Sequence, residues 1–335
     1  VIQKILKNRL RTGIAIIVAI PVLSPLLFLT GNDYVTQAVT RVLIYGVLVL
    51  SVEMCWGQAG IFTFGQAALF GLGAYVTGYL ATRENITDIG LLLLLAVAAG
   101  SLVGLAIALF LFSGRRVGEL YVALVTLAIS YICERFANSW SVIGSANGIP
   151  GIPFPTFFGY SISSSPTMFF VALLVFSIAL MICVFVVQSQ FGMAMNAVRD
   201  DEERAEFFGY NRSTIQIVVF VFCAALAAAG GALFAMSEGF VSPSLSGLAL
   251  STTTVLWVVL GGKGTFFGPL LALAVLQALN VEMQNALPSF WPIIVGLLLL
   301  ITMMFLPKGL MSLPSVFRSR RSSRRRPNSS KVESK

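Results

Sequence analysis

Apolar stretches about as long as a bilayer is thick recur along this chain, and they constrain its fold more than any other feature. Residues 14–29, 35–56, 61–81, 89–112, 120–136, 167–187, 214–236 and 291–306 carry few charges or none. A helix needs roughly 20 apolar residues to cross the hydrocarbon core, and inside that core every backbone N–H and C=O must be satisfied within the protein. An all-α, polytopic membrane bundle of about eight to ten transmembrane segments follows. Charged residues make up 11% of the chain, against about 25% in ordinary globular domains. No room is left for a sizeable soluble domain. Residues 1–310 are expected to form the membrane domain and residues 311–335 a basic, disordered tail.

The net charge of +8 is not a nucleic-acid signal, because the basic residues gather at the two ends. Lys4, Lys7, Arg9 and Arg11 precede the first apolar run. They resemble a signal peptide, but no A-x-A-like site follows, so the run reads as an anchoring helix with its N-terminus in the cytoplasm. Alternation then puts Arg83, Glu84 and Asp88 outside and Arg115 and Arg116 inside. The Gly- and Pro-rich residues 138–166 fall outside, where a long helix is not needed. Arg318, Arg320, Arg321, Arg324, Arg325 and Arg326 end the chain in the cytoplasm, where anionic lipid headgroups attract such a tail.

Several chemistries are excluded. The chain has no histidine, which removes Ser-His-Asp and Cys-His nucleophiles, imidazole relays and His metal ligands. The cysteines Cys55, Cys133, Cys183 and Cys223 are far apart in apolar sequence and read as small core residues. Glu53, Glu119, Glu134, Arg135 and Glu238 are scattered, so no enzyme site, metal site or bound cofactor is expected. Glu53, Glu134 and Arg135 lie near span ends, where each can snorkel to an interface, although an ionisable residue in a span is also a functional candidate. The run GGKGT from Gly261 is not a phosphate loop: Lys263 is followed by Gly264, and Trp257 stands where the first glycine belongs. A chain that does work without an ATP site must borrow energy from a partner.

One polar island interrupts the apolar pattern on the cytoplasmic side. Residues 189–213 hold Arg199, Asp200, Asp201, Glu202, Glu203, Arg204, Glu206 and Arg212. Ala194, Ala197, Val198 and Ala205 can share one apolar face, and Gly209 is placed to end the helix. A charge run is usually a solvated loop; the alternative is a rigid handle for a soluble partner. Small residues recur elsewhere. Ala67/Gly71 and Ala74/Gly78 have the spacing of close helix packing, as do Ala224 to Gly231. Two glycine-broken stretches, from Gly57 and from Gly261, resemble each other. Paired breaks of this kind mark solute paths in transporters, so Gln58, Gly60, Gly65, Gln66, Gly261, Gly262 and Gly264 are translocation-path candidates.

Five segments together carry a resemblance: GQAGIFTFGQAALFGLGAYVTGYL from Gly57, GSANGIPGIP from Gly144, FGMAMNAVRDDEERAEFFGYN from Phe191, VVLGGKGTFFGPLLALAVL from Val258 and FLPKGL from Phe305. In this order they resemble the branched-chain amino acid permeases of bacterial ABC importers, of the subunit type with the longer charged loop. The resemblance implies an inner-membrane chain that hydrolyses nothing itself. It also implies a related second permease, two ATP-hydrolysing subunits in the cytoplasm and a substrate-binding protein outside. By that resemblance the island is the coupling loop, with Ala197, Arg199, Asp200, Ala205 and Gly209 in the ATPase groove, flanked by Asp201 and Glu202. Phe64, Gln66 and Glu53 depart from the family pattern, which keeps urea or short-amide import as the alternative substrate reading. A self-sufficient secondary transporter is the alternative of another class; it would need intramembrane charges to couple ions.

Overall fold

The structure, a computed structural model, describes residues 33–114, 118–157, 160–162 and 165–286, together with Leu297. The expected first anchor (14–29), the arginines at 115 and 116, the last span (291–306) and the basic tail lie outside these residues.

The chain is a helical bundle. Five of the described helices are long and apolar enough to cross a membrane: α1 with its π-helical end (Asp33–Gln58), α3 (Ile89–Phe112), α4 (Glu119–Ser139), α5 (Ser165–Gln188) and α8 (Arg212–Glu238). Between them lie α2 (Gln66–Arg83), the island helices α6 (Gln190–Asp200) and α7 (Glu202–Phe207), and the shorter pair α9 (Leu248–Gly261) and α10 (Phe267–Ala286). The expected glycine breaks, from Gly57 and at Gly261 to Gly264, are both present. The expected span at 61–81 differs: its first residues are irregular, and the helix begins only at Gln66.

Burial sorts the helices. In α1 and α8 the apolar windows are 72% and 67% buried, against 28% in α3 and in α4 and 33% in α5. The first two form the centre, and the others turn residues such as Leu94, Leu102, Phe110, Leu124, Leu174 and Phe185 outward. A surface of that kind suits lipid, where leucine and phenylalanine gain nothing by hiding.

Small residues set the contacts at the centre. Gly73 of α2 lies on the backbone of Ala228, and Gly231 of α8 on the backbone of Phe70. Gly100 and Gly104 of α3 meet Ala228 and Ala224. A methyl group at any of these positions would enter its neighbour, so the helices approach closely because the side chains are missing. The spaced small residues of α2 divide between two kinds of neighbour: Ala74 lies with Phe70 against Gly231 of α8, while the two glycines meet other segments. Gly71 packs on Ser246 and Gly78 on Ile149, Ile152 and Val241, which belong to connecting segments rather than helices. Gly73 carries a helix contact too.

The irregular segment after α4 is held by two short ladders. Ile149–Pro150 pairs antiparallel with Phe240–Val241, and Thr156–Phe157 with Tyr160–Ser161. Gly144, Gly148 and Gly151 there have positive φ, as its lack of helix pattern anticipated. At the same end Arg41 of α1 forms a two-pronged ion pair with Glu238 of α8, at 2.8 and 2.7 Å.

Candidate functional site: a knot of broken helices under the polar island

The first break starts with a change of helix type. α1 widens at Glu53–Gln58 into a π-helix, with the Ala59 N–H reaching the Met54 carbonyl at 3.1 Å. Such wide turns occur mostly as single insertions, often at functional sites. Gly60, at φ +77°, then reverses the chain. Its N–H bonds Trp56 O, and the next N–H, of Ile61, bonds Cys55 O, a pair of nested bonds each one residue wider than those of a Schellman end, as the wide π-turn dictates.

The chain next runs along α4 without helical bonds of its own. The Phe64 N–H donates to Thr126 Oγ1 at 3.1 Å, and Ser130 Oγ donates to the Phe64 carbonyl at 2.8 Å. Both hydroxyl residues are fully buried. Standing one turn apart on α4, they satisfy a backbone that has left its helix inside the bundle, as burial requires. Only then does α2 begin, at Gln66.

The second break, after α9, comes to the same place. Gly261 and Gly268 lie backbone to backbone, and Gly262 and Gly264 take φ of +95° and +91°. The Gly264 N–H donates to Glu53 Oε1 at 2.7 Å, and Gln58 Nε2 donates to the same oxygen at 3.3 Å. Lys263 Nζ stands 5.3 Å from the centre of the Trp56 ring. The Glu53 carboxylate therefore ties the two breaks together. It does not snorkel: its exposure is 0%, and it lies over Gly57, where a Cβ would occupy the space of the carboxylate. Glu134, by contrast, is half-buried against Gly247 at the start of α9, and Arg135 stands 4.9 Å over the Tyr131 ring.

The island is bound to this knot through Arg199. Its Nη1 donates to the carbonyls of Gly57 and Gln58, both at 3.2 Å. Its stem lies on Gly60, so that a Cβ there would come within 2.7 Å of Arg199 Cγ. Nε and Nη2 donate to Asp200 Oδ1, which fixes the plane of the guanidinium. The rest of the island is braced from within. Ser189 caps α6, and Asp201 caps α7 while pairing with Arg204 at 2.7 Å. Glu202 pairs with Arg212 at 2.9 Å and accepts from Gln216, joining the island to the foot of α8. Ala194, Val198 and Ala205 are buried, Ala197 is half-buried, and Gly209 is exposed at φ +85°. The shared apolar face and the glycine stop are therefore as the sequence indicates.

Exposure distinguishes the residues of the island. Arg199 turns its guanidinium into its own chain, and Ala205, at 2% exposure, packs inside it. Among charged residues that also face outward, the island exposes the large apolar side chains Met193, Phe207 and Phe208, the last two at 90% and 82% exposure. Between the island and the first break is a cleft of about 40 Å³ lined by Gly60, Glu119, Arg199, Glu202 and Arg212 among others. Solute pockets measure roughly 300 Å³ or more, so this cleft is too small to hold a solute. No group of His, Cys, Asp or Glu that could hold a metal ion occurs among the described residues.

Of the path candidates, Gln58, Gly60, Gly261, Gly262 and Gly264 meet in the knot, while Gly65 and Gln66 lie beyond it, where α2 begins. Glu53, Thr126 and Ser130 were not among them. Their signal was present: a carboxylate in an apolar run, and two hydroxyls four residues apart on one helix.

Residues 34–305 match the family described as the branched-chain amino acid transport system / permease component. The chain belongs to that family. Among its relatives, the high-affinity branched-chain amino acid transport system permease protein LivM of Salmonella typhimurium is 29% identical over 299 residues, covering 81% of this chain and 68% of the relative. The corresponding LivH of Escherichia coli is 22% identical over 293 residues, covering 81% and 92%. The autoinducer 2 import system permease protein LsrC of Yersinia enterocolitica is 30% identical over 151 residues, covering 43% and 41%. No solved structure matches. The chain is thus a multi-pass membrane permease of this family, with the resemblance seen in its motifs confirmed.

Proposed function

We propose that the chain is the membrane-spanning permease of an ATP-driven importer of branched-chain amino acids. In this reading ATP-hydrolysing subunits grip the exposed face of the island in the cytoplasm, at the inner membrane of a bacterium. A second, related permease completes the pathway, and an external binding protein hands over the solute. Both termini are then cytoplasmic. The observation that carries the reading is the double attachment of the island, outward through exposed Phe207 and Phe208 and inward through Arg199 to the first helix break. Motion imposed on α6 is passed to the knot through the bonds of Arg199 to the Gly57 and Gln58 carbonyls, the kind of link that alternating access by rigid-body rocking uses.

The roles proposed within the island divide accordingly. Asp200 orients Arg199; Asp201 and Glu202 brace α7; Ala197 and Gly209 border the exposed face. The test is leucine uptake into proteoliposomes that hold the complete transporter. Arg199→Ala should let ATP hydrolysis continue while uptake drops by about tenfold or more, the consequence of losing charge-assisted bonds to two carbonyls. Leucine accumulation at the full rate by this chain alone, with no ATP-hydrolysing subunit present, would defeat the proposal.

A further inference from the structure

Helix α2 starts inside the bundle and not at either end. Thr126 and Ser130, which hold Phe64, lie about 10 and 16 Å along α4, a helix about 31 Å long at 1.5 Å per residue. Gln66 follows two residues later. A helix start leaves N–H groups without intrahelical acceptors and carries partial positive charge. Here no side chain caps it: Gly65 stands at the N-cap, and the Thr63 hydroxyl is used on the Gly65 N–H. The first turn is buried all the same, with Gln66 and Ala67 at 1% exposure and Ala68 at 4%.

A second observation concerns the Gln66 side chain. Neither its Oε1 nor its Nε2 has a hydrogen-bond partner among the described residues. Side chains lean toward the N-terminus of their helix, and Gln66 is the first residue of α2, so its amide belongs to the same buried helix start. Burying an amide without a partner is costly. A leucine of similar size would remove the cost, which points to a use for the amide that packing does not supply.

We propose that the start of α2 receives the carboxylate of the solute midway through its passage. The first-turn N–H groups hold the oxygens, and the Gln66 amide donates to one of them. The ligand class is a small carboxylate-bearing solute, such as an aliphatic α-amino acid. Helix starts at mid-membrane serve anionic groups in other transporter architectures for the same electrostatic reason. The proposal rests on the import reading above and adds to it the group by which the permease itself recognises its cargo.

The experiment compares Gln66→Leu and Gln66→Glu with wild type in the complete, reconstituted importer, measuring uptake of labelled leucine and the heat stability of the purified complex. If Gln66 only packs, Gln66→Leu should be as stable as wild type or more so and should transport as well, because an unpartnered amide has been replaced by an apolar group. A carboxylate site gives a different pair of results. Gln66→Leu keeps its stability, yet takes up leucine about tenfold more slowly at low concentration, the worth of one hydrogen bond to a charged group. Gln66→Glu, which sets like charge against the solute, is slower still.

Wild-type uptake by the Gln66→Leu complex overturns the site while leaving the import reading in place. A wild-type complex that carries urea or another neutral amide and no leucine overturns both. Leucine uptake that does not depend on ATP strikes the import reading alone, and the Gln66→Leu comparison still decides the site.

Discussion

The two ends of this bundle are tied together by different means. Away from the island, α1 and α8 are joined by Arg41 and Glu238, side chain to side chain, with 39% and 25% of those side chains exposed. Under the island, Glu53 and Arg199 bond backbone groups of the two broken helices. A partly exposed pair can separate and let water take over each partner, so it contributes little, typically about 0–1 kcal/mol. A buried carboxylate that holds a backbone N–H has no such substitute, and separating them leaves the buried N–H without its acceptor. The first end is built to yield and the second to transmit. The buried junction, at Glu53, lies on the island's side, and Arg199, its side chain 32% exposed, links the island to it.

The most severe test of this contrast is at Glu53. Glu53→Ala removes the acceptor of the Gly264 N–H and of Gln58 Nε2, both buried, at about 1–3 kcal/mol for each group left unsatisfied. The melting temperature of the purified chain should fall by several degrees. Glu53→Gln keeps an acceptor oxygen for Gly264 and should recover most of the loss. If Glu53→Ala melts with wild type, the knot is not what holds the breaks together, and the contrast between the ends fails.

Sequence alone conveys the outline of this end and not its joints. The apolar runs, the glycine stops at Gly60 and Gly209 and the break at Gly262 are local signals, set by backbone preferences that need no knowledge of distant residues. The Glu53–Gly264 bond joins positions 211 apart, and nothing local distinguishes a glutamate that snorkels from one bonded to a far backbone. Arg199 shows the same limit. As one of several charges in a polar run it looks solvated, and only the path of the π-helical end shows that it faces two carbonyls. On α2 the spacings of Ala67/Gly71 and Ala74/Gly78 mark a small-residue face, but periodicity identifies faces without saying which neighbour each residue meets.

A smaller effect is expected where the first break leans on α4. Thr126→Val keeps the shape and deletes the oxygen that accepts from Phe64 N–H, and Ser130→Ala deletes the donor to the Phe64 carbonyl. Each should cost about 1–2 kcal/mol. Because both bonds hold the same peptide segment, the double variant should cost less than the sum of the two singles, since residues sharing a partner are not additive. Thermal unfolding of the single and double variants measures this directly. Strict additivity would mean that Thr126 and Ser130 support separate structures, and the island end would then be less of a unit than the contrast supposes.

The smallest effect should come from the opposite end, and it is the one that most sharpens the comparison. Arg41→Gln, Glu238→Gln and the double variant form a cycle whose coupling term isolates the ion pair. The geometry is favourable, with two bonds of 2.8 and 2.7 Å, and a forked arginine–carboxylate pair is stronger than a single contact. Exposure works in the other direction, because water solvates either group once it is freed and salt screens the attraction. The expected coupling is about 0.5–1 kcal/mol, decreasing as ionic strength is raised. A coupling as large as the loss at Glu53, and indifferent to salt, would show that this end is locked as firmly as the other. The bundle would then have two stiff junctions, and opening toward the far side would require a push from the island as large as opening toward the near one.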